Sequence, residues 1–402
     1  MAELTPMMQQ YLQIKEQNQD AILFFRLGDF YEMFGADAKT ASRELDLTLT
    51  TRDKSKDKPA EERMPMCGVP YHSADSYIAR LIAKGYKVAI CEQTEDPAQA
   101  KGLVKRDIIR VVTPGTVIDS ACLEEGRSNF CAGIYLDEDY AALCACDITT
   151  GKAHATAFSG PERVKQLINE LARFSPAEAV VNEAAFFEET LHTFLKDKLN
   201  CHLEKLPAGR FQMEAAEKLI RRQFGDDALH RLPRDNPAVF LALGALLSYL
   251  HETQKTDLSH VDDLEYYRRG QFMELDLTAR RNLELTETLR GKEKKGSLLW
   301  VLDKTKTALG GRMMRSWLPL GMGVSMLRSE TNKKIYGFRV LTENLHQMLY
   351  SYRASGKKRR KRNERFRGIR SHRIRHGGRP GSGVPPHRHG APAPDQGPAL
   401  LL

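Results

Sequence analysis

Two residues in this sequence, Phe30 and Glu32, have types and spacing that invite chemistry. They follow an apolar run, Ala21–Leu27, and the turn signal Gly28-Asp29. Side chains alternate along an extended chain, so a ring and a carboxylate two residues apart would point to the same side. Such a pair can pack into a core beside solvent, or it can reach outward to a ligand. The local sequence leaves both open, and Tyr31 between them is expected to face the domain interior.

Other chemistries find less support. Seven cysteines (67, 91, 122, 131, 144, 146 and 201) form no C-x-x-C and are odd in number, which argues against a zinc site or a disulfide framework. Cys144 and Cys146 should share one face of a strand as small apolar side chains. His387-Arg-His389 lacks further ligands for a metal. The phosphate-cradling pattern G-x-x-x-x-G-K-[ST] does not occur; Gly291-Lys-Glu-Lys-Lys-Gly296-Ser lacks the lysine after the second glycine. The net charge of +9 is misleading. Residues 319–402 hold 18 Lys/Arg and 4 Asp/Glu, a net of +14, which leaves −5 for the first 318 residues. A nucleic-acid partner for the main body must therefore be argued from local patches. No apolar run reaches 18 residues, so no membrane-spanning helix is expected, and the N-terminus lacks a secretion signal, so a cytoplasmic protein is expected.

The elements that must position Phe30 and Glu32 can be read in order. Thr5-Pro6 opens a helix with Thr5 as its cap, and Ala21–Leu27 is a strand. Asp37–Leu45 reads as a helix and Leu47–Thr51 as a strand, followed by a charged loop with Lys54, Lys56 and Lys58. Met64–His72, with two prolines and a glycine, reads as a rigid loop. Ser73 then caps a helix over 74–84 that Gly85 ends. Tyr86–Glu92 and Asp107–Val112 are strands flanking the basic loop Lys101–Arg106. This gives a mixed α/β domain over 1–116.

After a linker at 117–127, three alternating segments, Cys131–Leu136, Tyr140–Asp147 and Lys152–Phe158, form a meander. The helix Pro161–Phe174 and the strand Ala179–Asn182 follow, with helices near 189–199 and 213–224, suggesting an RNase H-like α/β domain over 128–236. An all-helical region is expected over 237–318, with helices at Ala238–Thr253, Met273–Leu285 and Ser297–Leu318. The aperiodic, Arg/His/Pro/Gly-rich stretch 319–402, with its basic block Lys357–Arg362, is expected to be disordered.

Residues 5–318 closely resemble the N-terminal part of the bacterial MutS-type DNA mismatch-repair proteins. The resemblance is carried, in order, by Thr5-Pro-Met-Met-Gln-Gln-Tyr11, Arg26–Phe34, Gly68-Val-Pro-Tyr-His72, Ile90-Cys-Glu-Gln93, Val111-Val-Thr-Pro-Gly-Thr116, Leu275–Leu285 and Gly310–Leu318. It implies a mismatch-binding domain, an RNase H-like connector, and the start of a helical core and lever. The family's Phe-x-Glu reader falls on Phe30 and Glu32. A ring inserted from the minor groove unstacks a base step and kinks the duplex, at lower cost where a mispair already weakens stacking. Glu32 would accept from a base edge and penalise a normal pair. Met66, Gly68, Pro70 and His72 are candidates for the groove, and Lys101, Lys105, Arg106 and Arg110 for phosphates. Tyr71 could cover either a groove or the core.

The resemblance also implies mismatched or looped duplex DNA and a MutL-type protein as partners, a homodimer, and a nucleoid-associated location. The family's ATP- and magnesium-dependent engine would lie beyond residue 318, so the expectation here is a truncated chain with no cofactor and no ATP hydrolysis of its own. A frame change near 319–325 would account for the tail; a genuine basic tail would instead bind nucleic acid non-specifically through 357–362. A partner-docking fragment without mismatch selectivity is a further reading. A nuclease is disfavoured, because Asp147 has no second strand-borne acid to share a metal.

Overall fold

The structure, a computed structural model, describes residues 5–52, 63–95, 102–118, 127–268 and 277–318. Most of the expected linker (119–126 of 117–127), the lysine-bearing loop (53–62), residues 96–101 with Lys101 of the basic loop, and the tail from 319 lie outside these residues.

The first unit builds helix α1 (Pro6–Glu16), strands β1 (Ala21–Leu27) and β2 (Phe30–Phe34), helix α2 (Gly35–Leu45) and strands β3 (Thr50–Thr51) and β4 (Pro65–Pro70). Helix α3 (Ala74–Ala83) and strands β5 (Lys87–Gln93) and β6 (Arg106–Val112) complete it. The sheet order is β3-β4-β2-β1-β5-β6, with β1 and β5 parallel and the other neighbours antiparallel. Both faces are apolar, as the run Ala21–Phe25 dictates. Phe24, Tyr31, Met33 and Val88 share a core with Ala38 and Leu45 of α2 and Ile78 and Leu81 of α3. Phe25, Phe34 and Cys91 share the other with Tyr11 of α1.

Several expectations change here. Met64–His72 is not a loop: its middle is β4, held between β2 and β3. The prolines permit this because Pro65 and Pro70 stand at the strand's two ends, where a missing N–H costs least. The strand expected over 47–51 shrinks to Thr50–Thr51, since Leu47 is tied to the end of α2 through Ser42, both N–H to carbonyl and hydroxyl to carbonyl. Thr5 and Ser73 precede their helices without a side-chain cap, and the Ser73 hydroxyl donates to Pro70 O instead.

The second unit contains β7 (Cys131–Leu136), β8 (Tyr140–Asp147), β9 (Lys152–Ser159), α4 (Arg163–Phe174) and β10 (Glu178–Val181). The short helices α5 (Glu183–Phe187) and α6 (Glu189–Thr193), then β11 (His202–Lys205), α7 (Met213–Phe224) and α8 (Asp226–Arg231), follow. Its last elements are α9 (Ala238–Gln254) and β12 (Asp263–Tyr266). The sheet runs β11-β10-β7-β8-β9-β12, antiparallel from β7 to β9 and parallel at the pairs β7/β10, β10/β11 and β9/β12.

The all-helical region expected from 237 meets a different arrangement. Helix α9 lies on this sheet, with Phe240, Leu243, Leu246 and Leu250 packed against Cys144, Cys146 and Val180, and β12 adds a sixth strand. Gly133 lets the helix come close, because a Cβ there would stand 2.4 Å from Ala242 O. Nearly every residue of α9 is buried, so its sequence lacks an amphipathic stripe and carries no sign of which layer it joins. Helix α4 covers the opposite face through Leu167 and Leu171.

Three helices close the described chain: α10 (Leu277–Asn282), α11 (Leu298–Leu302) and α12 (Ala308–Trp317). The single helix expected over 297–318 is broken at Asp303, whose Oδ1 accepts the Thr305 N–H at 3.1 Å and its hydroxyl at 2.6 Å. Such local bonds compete with helix continuation. Thr307 restarts it by accepting from Gly310 N–H at 3.1 Å.

Candidate nucleic-acid interface

Strands β1 and β2 are joined by the two-residue loop Gly28-Asp29, with Leu27 opposite Phe30. Gly28 has φ +59°, the positive value that the first position of a II′ hairpin turn needs. The loop is held from outside as well, since Tyr71 N–H donates to Asp29 O at 2.9 Å. Phe30 therefore starts β2 at a fixed place and is 46% exposed.

Pairing with β4 sets Phe30 opposite Pro70, Glu32 opposite Gly68 and Phe34 opposite Met66. These pairs share one face of the sheet, because side chains alternate. Helix α1 covers the Phe34 end of that face, where Tyr11 meets the Phe34 ring edge-on at 4.9 Å. Phe30 and Glu32 lie toward the other end. Glu32 is partly buried and pairs with Arg52, Nη1 to Oε2 at 3.2 Å. Burial raises its carboxyl above the ordinary glutamate range, against the opposing pull of Arg52. Opposite it, a Cβ on Gly68 would sit 3.5 Å from Glu32 Cγ and 3.3 Å from Tyr31 O.

Tyr31 points into the domain, as its place in the alternation requires. Its hydroxyl donates to Glu92 Oε1, and burial and Glu92 push that hydroxyl's pKa up. Arg26 stands at the centre of this side: 3.3 Å from Glu92 Oε1 and with its guanidinium 3.7 Å over the ring of Tyr71. The cluster fastens the hairpin to the turn after β4. Pairings such as Arg26–Tyr71 and Arg52–Glu32 join residues 45 and 20 positions apart, and no sequence signal announces them.

The remaining candidates divide. Gly68 and Pro70 stand beside Glu32 and Phe30 as described, whereas Met66 packs against the core near Tyr11 and Phe34. His72 is exposed in the helical turn Tyr71–Ser73, its ring edge-on to Tyr71 at 5.9 Å. Lys105 is exposed and Lys101 lies outside the described residues. Arg106 is not available to a phosphate: it is buried, donating to Arg26 O at 2.8 Å, Val104 O at 2.9 Å and Gln10 Oε1 at 3.0 Å. Arg110 also serves the fold, donating to Thr116 O at 2.6 Å. In the second unit, Asp147 is buried and its Oδ1 accepts from Thr149. Among the described residues no cluster of three or more His, Cys, Asp or Glu could hold a metal.

A protein-family model described as MutS domain I matches residues 5–121, one described as MutS domain II matches 129–262, and one described as MutS domain III matches 278–319. The chain belongs to the MutS family. Domain I is the unit bearing Phe30 and Glu32. The domain II match runs through α9 to residue 262, in keeping with that helix lying on the second sheet. The DNA mismatch repair protein MutS of Acetivibrio thermocellus is 54% identical over 318 residues, 79% of this chain and 36% of that protein. That of Ruminiclostridium cellulolyticum is 49% identical over 318 residues, with the same coverage of each. That of Clostridium novyi is 47% identical over 315 residues, 78% of this chain and 33% of that protein. The chain thus spans about a third of the length of the curated relatives it matches. No helix among the described residues is long and apolar enough to cross a membrane.

Proposed function

We propose that this MutS-family chain reads mismatched or looped duplex DNA through Phe30, with Glu32 meeting the mispaired base. The observation that carries the reading is the exposed ring of Phe30 beside the partly buried carboxylate of Glu32, on one face of a strand whose next ring, Phe34, is fully packed. A buried aromatic would be explained by packing alone, whereas this one is held out by a fixed hairpin. Inserted from the minor groove, it would unstack a base step at a cost of a few kcal/mol, least where pairing is already faulty. Glu32, an acceptor held among phosphates, adds a penalty that only a suitable base edge relieves.

Lys105 and the exposed His72 are the described candidates for backbone and groove contacts under this reading; Gly68 and Pro70 shape the strand beside the reader. The strand order 3-2-1-4-5, counted from β7 through β11, supports an RNase H-like connector. A MutL-type protein as docking partner, a homodimer and a nucleoid-associated, cytoplasmic setting belong to the same reading. The matched segments stop at domain III, so it assigns no ATP- or magnesium-dependent step to these residues.

The test compares binding of the chain to a duplex with a G·T mispair or an unpaired T against the matched homoduplex, with Phe30→Ala alongside. Preference for the faulty duplex, lost on Phe30→Ala, is expected. Equal binding by the parent chain, or a preference that survives the substitution, would sink the reading.

A further inference from the structure

The site described above contains a like-charge problem. Glu32 must approach a polyanion, yet burial already disfavours its charge. The structure holds one answer beside it. Arg52 directly follows β3, its side chain is 51% exposed against 15% for Glu32, and one guanidinium nitrogen lies 3.2 Å from Glu32 Oε2. Gly68, facing Glu32 across the strand pair, contributes no side chain of its own. Among the described residues, Arg52 is the ion-pair partner that Glu32 has.

Guanidinium carries five N–H donors in a rigid fork and matches phosphate as well as carboxylate. One bond to Glu32 leaves donors over, and the half-exposed side chain can present them outward. We propose that Arg52 is a specificity-determining residue of this interface, bridging the Glu32 carboxylate to a duplex phosphate so that the acid can enter the groove without repelling the backbone. The proposal rests on the mismatch reading of Phe30 and Glu32. It separates two jobs: Phe30 tests deformability, and Arg52 makes the acid beside it tolerable to DNA. A lysine would keep the charge and lose the fork, so it should restore only part of the function.

Two measurements test this. The first is a double-mutant cycle on the full chain by fluorescence anisotropy, with Arg52→Gln, Glu32→Gln and both, on G·T and matched duplexes. Arg52→Gln is expected to weaken G·T binding about tenfold, the size of one charge-assisted contact. In the Glu32→Gln background that loss should shrink to about a third or less, because there is no carboxylate left to neutralise. An equal loss in both backgrounds makes Arg52 an independent phosphate contact and overturns the bridge, and no loss in either overturns it too.

The second measurement needs no DNA. In the chain labelled with 13C-glutamate, with Glu32→Gln providing the assignment, Arg52→Gln should move the carboxyl midpoint of Glu32 upward. An unmoved midpoint means that the pair does not form in solution, and the proposal falls. A moved midpoint in a chain without mismatch preference instead fails the reading of Phe30 and Glu32, removing the role given to Arg52 while leaving the pair intact.

Discussion

The backbone N–H of Gly115 donates to Oε2 of Glu178 across 2.9 Å, joining the turn after β6 in domain I to the first residue of β10 in domain II. Thr113 donates its hydroxyl to the same oxygen, and Tyr249 of α9 donates to Oε1 at 2.6 Å. Glu178 is fully buried, so these donors replace the water it lost. A second tie lies nearby, where Lys87 is 2.8 Å from both Asp20 and Glu204. Domains I and II are thereby fastened at a buried polar junction.

Replacing Glu178 by Ala leaves Gly115 N–H and the Tyr249 hydroxyl unsatisfied in the interior, while Thr113 can turn to Thr116 Oγ1 at 2.8 Å, a loss of roughly 1–3 kcal/mol for each group left without a partner. Hydrogen exchange read by mass spectrometry should show β6 and β10 losing protection together. Loss confined to β10 would argue against a shared junction. Gly115→Ala is expected to act similarly, because its Cβ would meet the Glu178 Cβ at 2.8 Å and the Cys131 Cβ at 3.0 Å.

Neighbouring phenylalanines should respond in opposite ways. Phe24 is fully buried, and Phe24→Ala should cost about 3–5 kcal/mol in urea unfolding. Phe30→Ala, at a half-exposed ring, should stay within about 1 kcal/mol of the parent while abolishing mismatch preference.

The raised carboxyl of Glu32 gives a pH signature. A carboxyl raised in the folded state favours folding most below its unfolded pKa of about 4.3, and that contribution is lost as pH rises through the folded value. Glu32→Gln should therefore be neutral to stabilising at pH 7, and its advantage should vanish on acidification. If Glu32 discriminates as proposed, discrimination against homoduplex should weaken in the parent chain as pH falls through the raised Glu32 value. It should be flat over the same range in Glu32→Gln, as titrated anisotropy would show.

Two adjacent cations should separate in the same assays. Lys105→Gln should reduce the salt dependence of DNA binding by about one counterion and leave stability unchanged. Arg106→Gln should cost roughly 1–3 kcal/mol of stability, because Arg26 O, Val104 O and Gln10 Oε1 each lose a donor.

Gly133→Ala tests the seat of α9. Its Cβ would stand 2.4 Å from Ala242 O and 2.8 Å from the Leu246 Cβ, and overpacking of this kind costs about 1–3 kcal/mol. Gly209→Ala, with open space at its Cβ, is the control and should leave the urea midpoint unmoved.

The sequence by itself determined the elements that announce themselves by short-range pattern. The apolar run Ala21–Leu27 makes a strand, Gly28-Asp29 makes a turn, and alternation then puts Phe30 and Glu32 on one side and Tyr31 on the other. The meander from Cys131 to Ser159 reads from the same period. Tertiary structure decided what depends on partners distant in the chain. The prolines of Met64–His72 conceal β4, whose pairing with β2 is a long-range hydrogen-bond ladder. Helix α9 is apolar all round, so only packing assigns it to the second sheet. Charge alone cannot tell a cation that binds phosphate from one that serves the core: Arg106 is spent on carbonyls, while Arg52 stands at Glu32. Hydrogen bonding and desolvation act through space, and a local pattern records only the part of them that falls within a few residues.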